Sequence, residues 1–180
     1  MSENLPEDLF ANNAGQTNLP PYDTFPVLSF ENLVLRRLTH DDVATIQPII
    51  YYNGKQAKTL QKAIEVFHKI EKDYQNGETL NWLITDKKTG ALLGTCGYYR
   101  KFDDATGEIG CVLMPEQEGK GIMRKALRLV VEFGLEKMNL QRIIAITRTT
   151  NKRALKLLHA IDFVEVADLE DDKIAYEYFG

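Results

Sequence analysis

Apolar positions recur along this chain in two rhythms, and the switch between them divides it into elements. Leu33 to Leu38 (LVLRRL) alternates as a first strand. Thr39, followed by Asp41 and Asp42, suits a helix start with acids in its first turn, and a helix is expected through Ile46 toward Ile50, where Pro48 limits it. From Thr59 to Asn76 the period is helical, with Leu60, Ala63, Ile64, Phe67, Ile70 and Tyr74 on one face and Gly77 as the stop. The rhythm then becomes that of strands: Thr79–Asp86, Ala91–Arg100 and Glu108–Met114, separated by the turns Lys87–Gly90 and Asp103–Gly107. Gly94 and Gly97 suggest a bend in the middle strand.

After Gly121 a long helix presents Ile122, Ala126, Leu129, Val130 and Phe133 on a broad face. The apolar run Gln141–Thr147 reads as a central strand, and Asn151–Ala160 as a short helix. Phe163–Val166 and Ile174–Phe179 make a closing hairpin around Glu170-Asp171-Asp172. An antiparallel meander followed by a strand–helix–strand unit predicts an α/β (α+β) fold on one mixed sheet.

Composition narrows the options. A length of 180 residues is most simply one domain, and a net charge of −4 gives no general electrostatic case for nucleic acid or membrane. No apolar run reaches the roughly 18–20 residues of a bilayer span. MSENLPEDLF has neither a basic start nor an apolar stretch, so no secretory signal is expected and a cytoplasmic location is. Residues 1–29 hold four acids, no Lys or Arg, and Pro20-Pro21; they read as a loosely held leader, with Phe25 and Val27 packing onto a domain spanning 30–180. Cys96 and Cys111 stand at similar distances from the turn near Asp103 and are expected as cross-strand neighbours and free thiols. His40, His68 and His159 have no metal-ligand spacing, so no metal is expected. Trp82 is expected in the core or as a wall of the site.

The chemistry concentrates in Glu108–Arg128, EIGCVLMPEQEGKGIMRKALR. A strand, a turn at Pro115 and a Gly119-Lys120-Gly121 step into a helix form a place to hold an anion. The first amides of a helix lack partners within it, its dipole favours negative charge there, and glycine lets a phosphate reach the backbone. It is not a Walker loop, because Gly121 stands where Ser or Thr would bind magnesium.

The order of motifs resembles the GNAT superfamily of acyl-CoA-dependent N-acetyltransferases, most closely its ribosomal-protein-alanine N-acetyltransferase branch. The likeness lies in Phe30–Leu38, the hairpin Thr89–Gly97, the run Gly107–Met123, and the segment Asn151–Phe163. It implies a mostly antiparallel twisted sheet of about seven strands flanked by about four helices, with a splayed central strand pair. It further implies acetyl-CoA as co-substrate, its pyrophosphate on the amides of Glu118, Gly119, Lys120, Gly121, Ile122 and Met123. Val112, Leu113 and Met114 would offer backbone hydrogen bonds to the pantetheine arm, with Asn151, Ala154 and Leu158 lining its other side. The acceptor is a primary amine, foremost a protein N-terminus, with a small-molecule amine as the alternative; a homodimer is compatible with the likeness.

An amine attacking a thioester must lose a proton, and the oxyanion needs a donor. Glu108 is the candidate base; its structural alternative is an ion-pair partner of Arg36 or Arg100. Several positions depart from the family pattern. Glu118 replaces a usual Trp, Asp162 a Gly, and Ala154 and Leu158 the Ser and Tyr that would protonate the leaving thiolate. Tyr98, Tyr99 and Thr149 are the neighbouring hydroxyls left for that role, water being the alternative because a thiolate is a good leaving group, and Ala154 and Leu158 motivate the rival reading of an acetyl-CoA-binding protein with weak catalysis. Glu116 and Glu118 are expected to turn away from the loop, with Lys120 and Arg124 compensating. The acceptor walls are expected from Gln47–Leu60 and Phe102–Gly107.

Overall fold

The computed structural model describes residues 15–180. The chain runs β1 (Leu28–Phe30), β2 (Leu33–Arg36), α1 (Val43–Ile46), a ribbon of β3 (Tyr51–Tyr52) and β4 (Lys55–Gln56), and α2 (Leu60–Gln75). The meander β5 (Leu80–Asp86), β6 (Leu92–Tyr98) and β7 (Thr106–Leu113) leads to α3 (Ile122–Glu136), then β8 (Arg142–Arg148), α4 (Lys152–His159), β9 (Phe163–Leu169) and β10 (Lys173–Tyr178). The main sheet has eight strands in the order β1-β2-β5-β6-β7-β8-β10-β9, one more than expected because β1 precedes the first strand legible in the sequence. Every pairing is antiparallel except β7 with β8, joined by the α3 crossover.

The helical expectations hold with local shifts. Thr59 caps α2 through a 3.2 Å bond from the Lys62 amide, but Leu60 is 49% exposed and Val66 takes a place in the buried face instead. The helix after Thr39 is a single turn, α1, between two turns of 3-10 helix, because Pro48 has no N–H to extend it. β7 starts at Thr106 rather than Glu108, and β9 reaches Leu169.

The sheet separates two apolar clusters. One lies under α3 and α4, with Trp82, Tyr98, Ala126, Val130, Ile143 and Tyr176 among its members. The other lies under α1 and α2, with Ile46, Ala63, Phe67, Leu83 and Met114. Side chains alternate along each strand, so even-numbered residues of β5 face the first cluster, whereas Leu83 faces the second.

The part of the leader that falls within the described residues is tied to this body; residues 1–14 lie outside them. The Asn18 amide donates to Met138 O at 2.9 Å, the Tyr22 amide to Tyr74 Oη at 3.0 Å, and Trp82 Nε1 to Pro26 O at 2.8 Å. Phe25 packs against the rings of Tyr74 and Trp82, as expected of it, but Val27 is 63% exposed and does not pack. Trp82 is 1% exposed and belongs to the core. Among the described residues, no helix is long and apolar enough to cross a membrane.

Candidate active site

β7 and β8 pair only from Thr106–Glu108 with Arg142–Ile144. Beyond that point β7 continues against β6 as far as Leu113, while β8 continues against β10 as far as Arg148. The strands therefore part in a V, and backbone edges along residues 109–113 of β7 face the gap. Glu108 is the last paired residue, at the apex. From there β7 covers roughly 17 Å to its end, and a 3-10 turn at Pro115–Gln117 passes the chain to α3.

At that far end the loop is open. Gly119 (φ +76°) and Gly121 (φ +72°) adopt the left-handed conformation that glycine takes without strain, and a Cβ at either would meet nothing within 4 Å. Gly121 is the N-cap of α3, whose first turn carries no acid. The Glu118 amide already donates to Pro115 O at 3.3 Å, so the run of amides available to an anion starts at Gly119, one residue later than expected from the motif. Glu118 also turns its carboxylate to Arg153 on α4, away from the loop. Lys120 Nζ lies 3.1 Å from Gln117 Oε1, and Arg124 is exposed.

A cleft of about 410 Å³ occupies the V and the face of the sheet beside it. Glu108, Val112, Asn151, Ala154 and Leu158 line it together. Leu113, Met114 and the Glu118–Met123 loop do not; Met114 is buried in the α1–α2 cluster, and Leu113 packs against the other. Asn151 caps α4 by accepting the Ala154 amide at 3.2 Å. The opposite end is built by segments distant in sequence: Ile49 to Gly54 around the ribbon, Ile70 and Asp73 on α2, Thr79 just before β5 and Asn81 within it. Tyr52 Oη donates to Asp73 Oδ2 at 3.0 Å. Phe102–Gly107, expected as a wall, takes no part, because Phe102 packs on Tyr98 in the core.

Burial pushes the Glu108 carboxyl above its usual range, and the nearby Arg100 only partly offsets it. A carboxylate raised in this way accepts a proton more readily near neutral pH than an ordinary glutamate. Arg36 is not its partner; it forms a two-pronged pair with Asp42, both bonds 2.8 Å long. Of the three hydroxyls considered, Tyr98 donates to Val130 O at 2.8 Å inside the core, and Thr149 does not line the cleft. Tyr99 does. Its ring lies over Gly110, where a Cβ would come within 2.3 Å of it, and its Oη donates to Thr95 Oγ1 at 3.2 Å. Burial raises its pKa, so the phenol keeps its proton. Cys96 and Cys111 are directly opposed in the β6–β7 register, as their spacing suggested. Both are free, and burial pushes the Cys111 thiol up to about 12, which disfavours a nucleophilic thiolate at neutral pH.

The family model for the acetyltransferase (GNAT) domain matches residues 32–164. An uncharacterized N-acetyltransferase of Bacillus subtilis, YoaA, is 27% identical over 147 residues, covering 77% of this chain and 83% of that protein. Among solved structures, a ribosomal-protein-S5-alanine acetyltransferase from Vibrio fischeri superposes with a TM-score of 0.69 at 21% identity, covering 84% of this chain and 95% of that one. A mutant of the spermidine N-acetyltransferase SpeG from Vibrio cholerae also gives a TM-score of 0.69, at 19% identity over 81% of this chain and 92% of its own. These structures share the fold. Acetyl-CoA is the general co-substrate of the family to which the matched domain model assigns the chain. This protein is a member of the GNAT family of N-acetyltransferases.

Proposed function

We propose that the protein moves the acetyl group of acetyl-CoA to a primary amine, foremost the N-terminal amine of a protein, with both substrates bound at once. The observation that carries this reading is the V between β7 and β8, with a half-buried carboxyl, Glu108, at its apex. The open amides from Gly119 onward at the end of β7 support it.

Gly119, Lys120, Gly121, Ile122 and Met123 would hold the pyrophosphate through their backbone, with Lys120 and Arg124 adding charge. Val112, Leu113 and Met114 would run beside the pantetheine arm, and Asn151, Ala154 and Leu158 would close the other side. Bound acetyl-CoA supplies an activated thioester. Glu108 takes the proton that the ammonium must lose before it can attack, and the departing thiolate, a good leaving group, takes its proton from water or from Tyr99, the one of the three hydroxyls that lines the cleft.

A small cationic amine is the second acceptor class, favoured by the Asp73 carboxylate at the end of the cleft. One pair of measurements separates the readings: calorimetry with acetyl-CoA, and thiol release with alanine-initiated peptides and spermidine. Release with the peptides supports the lead reading, and release with spermidine alone supports the second. Tight acetyl-CoA binding without thiol release from any amine would instead leave a non-catalytic binder, the role suggested by Ala154 and Leu158.

A further inference from the structure

Two side-chain oxygens among the described residues are buried without any hydrogen-bond partner: Thr79 Oγ1 and Asn81 Oδ1. Burying such a group unpaired is costly, so a protein seldom keeps one unless something else satisfies it. Asn81 lies in β5 and Thr79 immediately precedes it, two residues apart on one face of the extended chain, and both line the cleft. Thr79 is only 7% exposed.

The register shows what lies beside them. Leu80 pairs with Tyr98, which sets Thr79 next to Tyr99, and the Tyr99 amide donates to Glu108 O at 3.2 Å. Asn81 pairs with Gly97, and Gly97 with Gly110, so the row has no side chain of its own beyond Asn81, and the Tyr99 ring lies over its Gly110 end. β5 and β7 stand two strand spacings apart, about 10 Å.

An alkylammonium has three N–H groups, and this face offers three acceptors. We infer that Thr79 Oγ1 and Asn81 Oδ1 hold two N–H groups of the acceptor amine while Glu108 removes the third proton, which makes Thr79 and Asn81 the residues that select a primary amine. A neutral primary amine then keeps both bonds, and its lone pair is left where the third proton was, away from β5 and facing the β7 side of the cleft, along which the pantetheine arm is proposed to run. A secondary amine has one N–H fewer and leaves one oxygen unpaired. This rests on the proposed function and deepens it.

The test compares an alanine-initiated peptide with its N-methylalanine counterpart. Turnover is measured, together with peptide affinity for the CoA-loaded protein. Asn81→Leu and Thr79→Val are each expected to weaken peptide binding and raise its KM about tenfold, to leave acetyl-CoA affinity intact, and to shrink the preference for the unmethylated peptide. Thr79→Val is also expected to melt no lower than wild type, since it removes an unpaired buried hydroxyl; a purely structural hydroxyl would lower the melting temperature. Asn81→Asp, which still accepts, is expected to lose less peptide affinity than Asn81→Leu. If Asn81→Asp instead loses turnover with peptide affinity retained, Asn81 donates to the thioester carbonyl and the inference is overturned. It is overturned alone if wild type acetylates the peptide while the Leu and Val variants keep both KM and the methyl discrimination. A wild type that neither binds nor acetylates the peptide or spermidine overturns the proposed function with it.

Discussion

Two regions of the proposed site are made of different materials. In the proposed pyrophosphate loop, which lies beyond the lining of the cleft, the groups on offer are backbone amides of one continuous stretch, Gly119 to Met123, exposed by two left-handed glycines. At the acceptor end they are side chains from α2, β5, β6, β7 and the β3–β4 ribbon, brought together only by the sheet register and by α2 packing on it. A backbone site tolerates a change of side chain at most of its positions and fails only where a Cβ intrudes. A side-chain site keeps its shape when one member is replaced but changes which molecule it fits. Glu118 illustrates the first case: it departs from the family pattern, yet it points to Arg153 and leaves the loop open.

This contrast predicts a gradient of effects. The largest is expected from Gly121→Val, which forces a branched residue into φ +72° and fills the anion's place. Acetyl-CoA affinity measured by calorimetry should fall on the order of 100-fold or more, with a thermal melt confirming a folded protein. Unchanged affinity would place the pyrophosphate elsewhere. Glu108→Gln should cost about 100-fold in kcat/KM for the amine at neutral pH while sparing acetyl-CoA affinity. Because burial raises the Glu108 pKa, wild-type activity should decline as pH falls through that raised value. The Gln variant has no group to titrate there and should lack that limb; a profile that keeps it would remove Glu108 as base.

A smaller effect, about tenfold in kcat with amine KM little changed, is expected of Tyr99→Phe if its hydroxyl protonates the leaving sulfur. Equal kcat would leave that proton to water. The smallest is Asp73→Asn, which keeps the bond from Tyr52 but removes a charge. A rise of about threefold in KM for spermidine, fading at high salt and absent for a peptide, would mark the acceptor end as tuned to a small cation. An equal shift for both amines would mean that the acceptor end does not discriminate by charge.

Much of the fold was legible beforehand because it is written in local rhythm. The α2 and α3 periods, the three meander strands, and the turn residues between them are each set by neighbours a few positions apart. The misses have physical causes. β1 is only three residues long, too short to show alternation, and it pairs in the sheet because β2 presents an open edge. Val27 is apolar and faces outward, which no local pattern forbids. Tyr98 and Tyr99 are adjacent and chemically alike, yet strand alternation sends one hydroxyl into the core and the other into the cleft. Thr79 and Asn81 carried no signal at all, since an unpaired oxygen is visible only when its surroundings are known.

By itself the sequence determined the order of the longer elements from α2 to β10, the glycine step into α3, and the presence of a carboxyl, Glu108, in the strand before it. These depend on backbone preference and on residues close along the chain. The tertiary structure alone decided where β7 leaves β8, which tyrosine reaches the cleft, that Arg36 is spent on Asp42, and which side-chain oxygens stay unpaired beside the cleft. Those outcomes depend on register and burial, which arise from contacts across tens of residues and leave no mark in any single stretch of the chain.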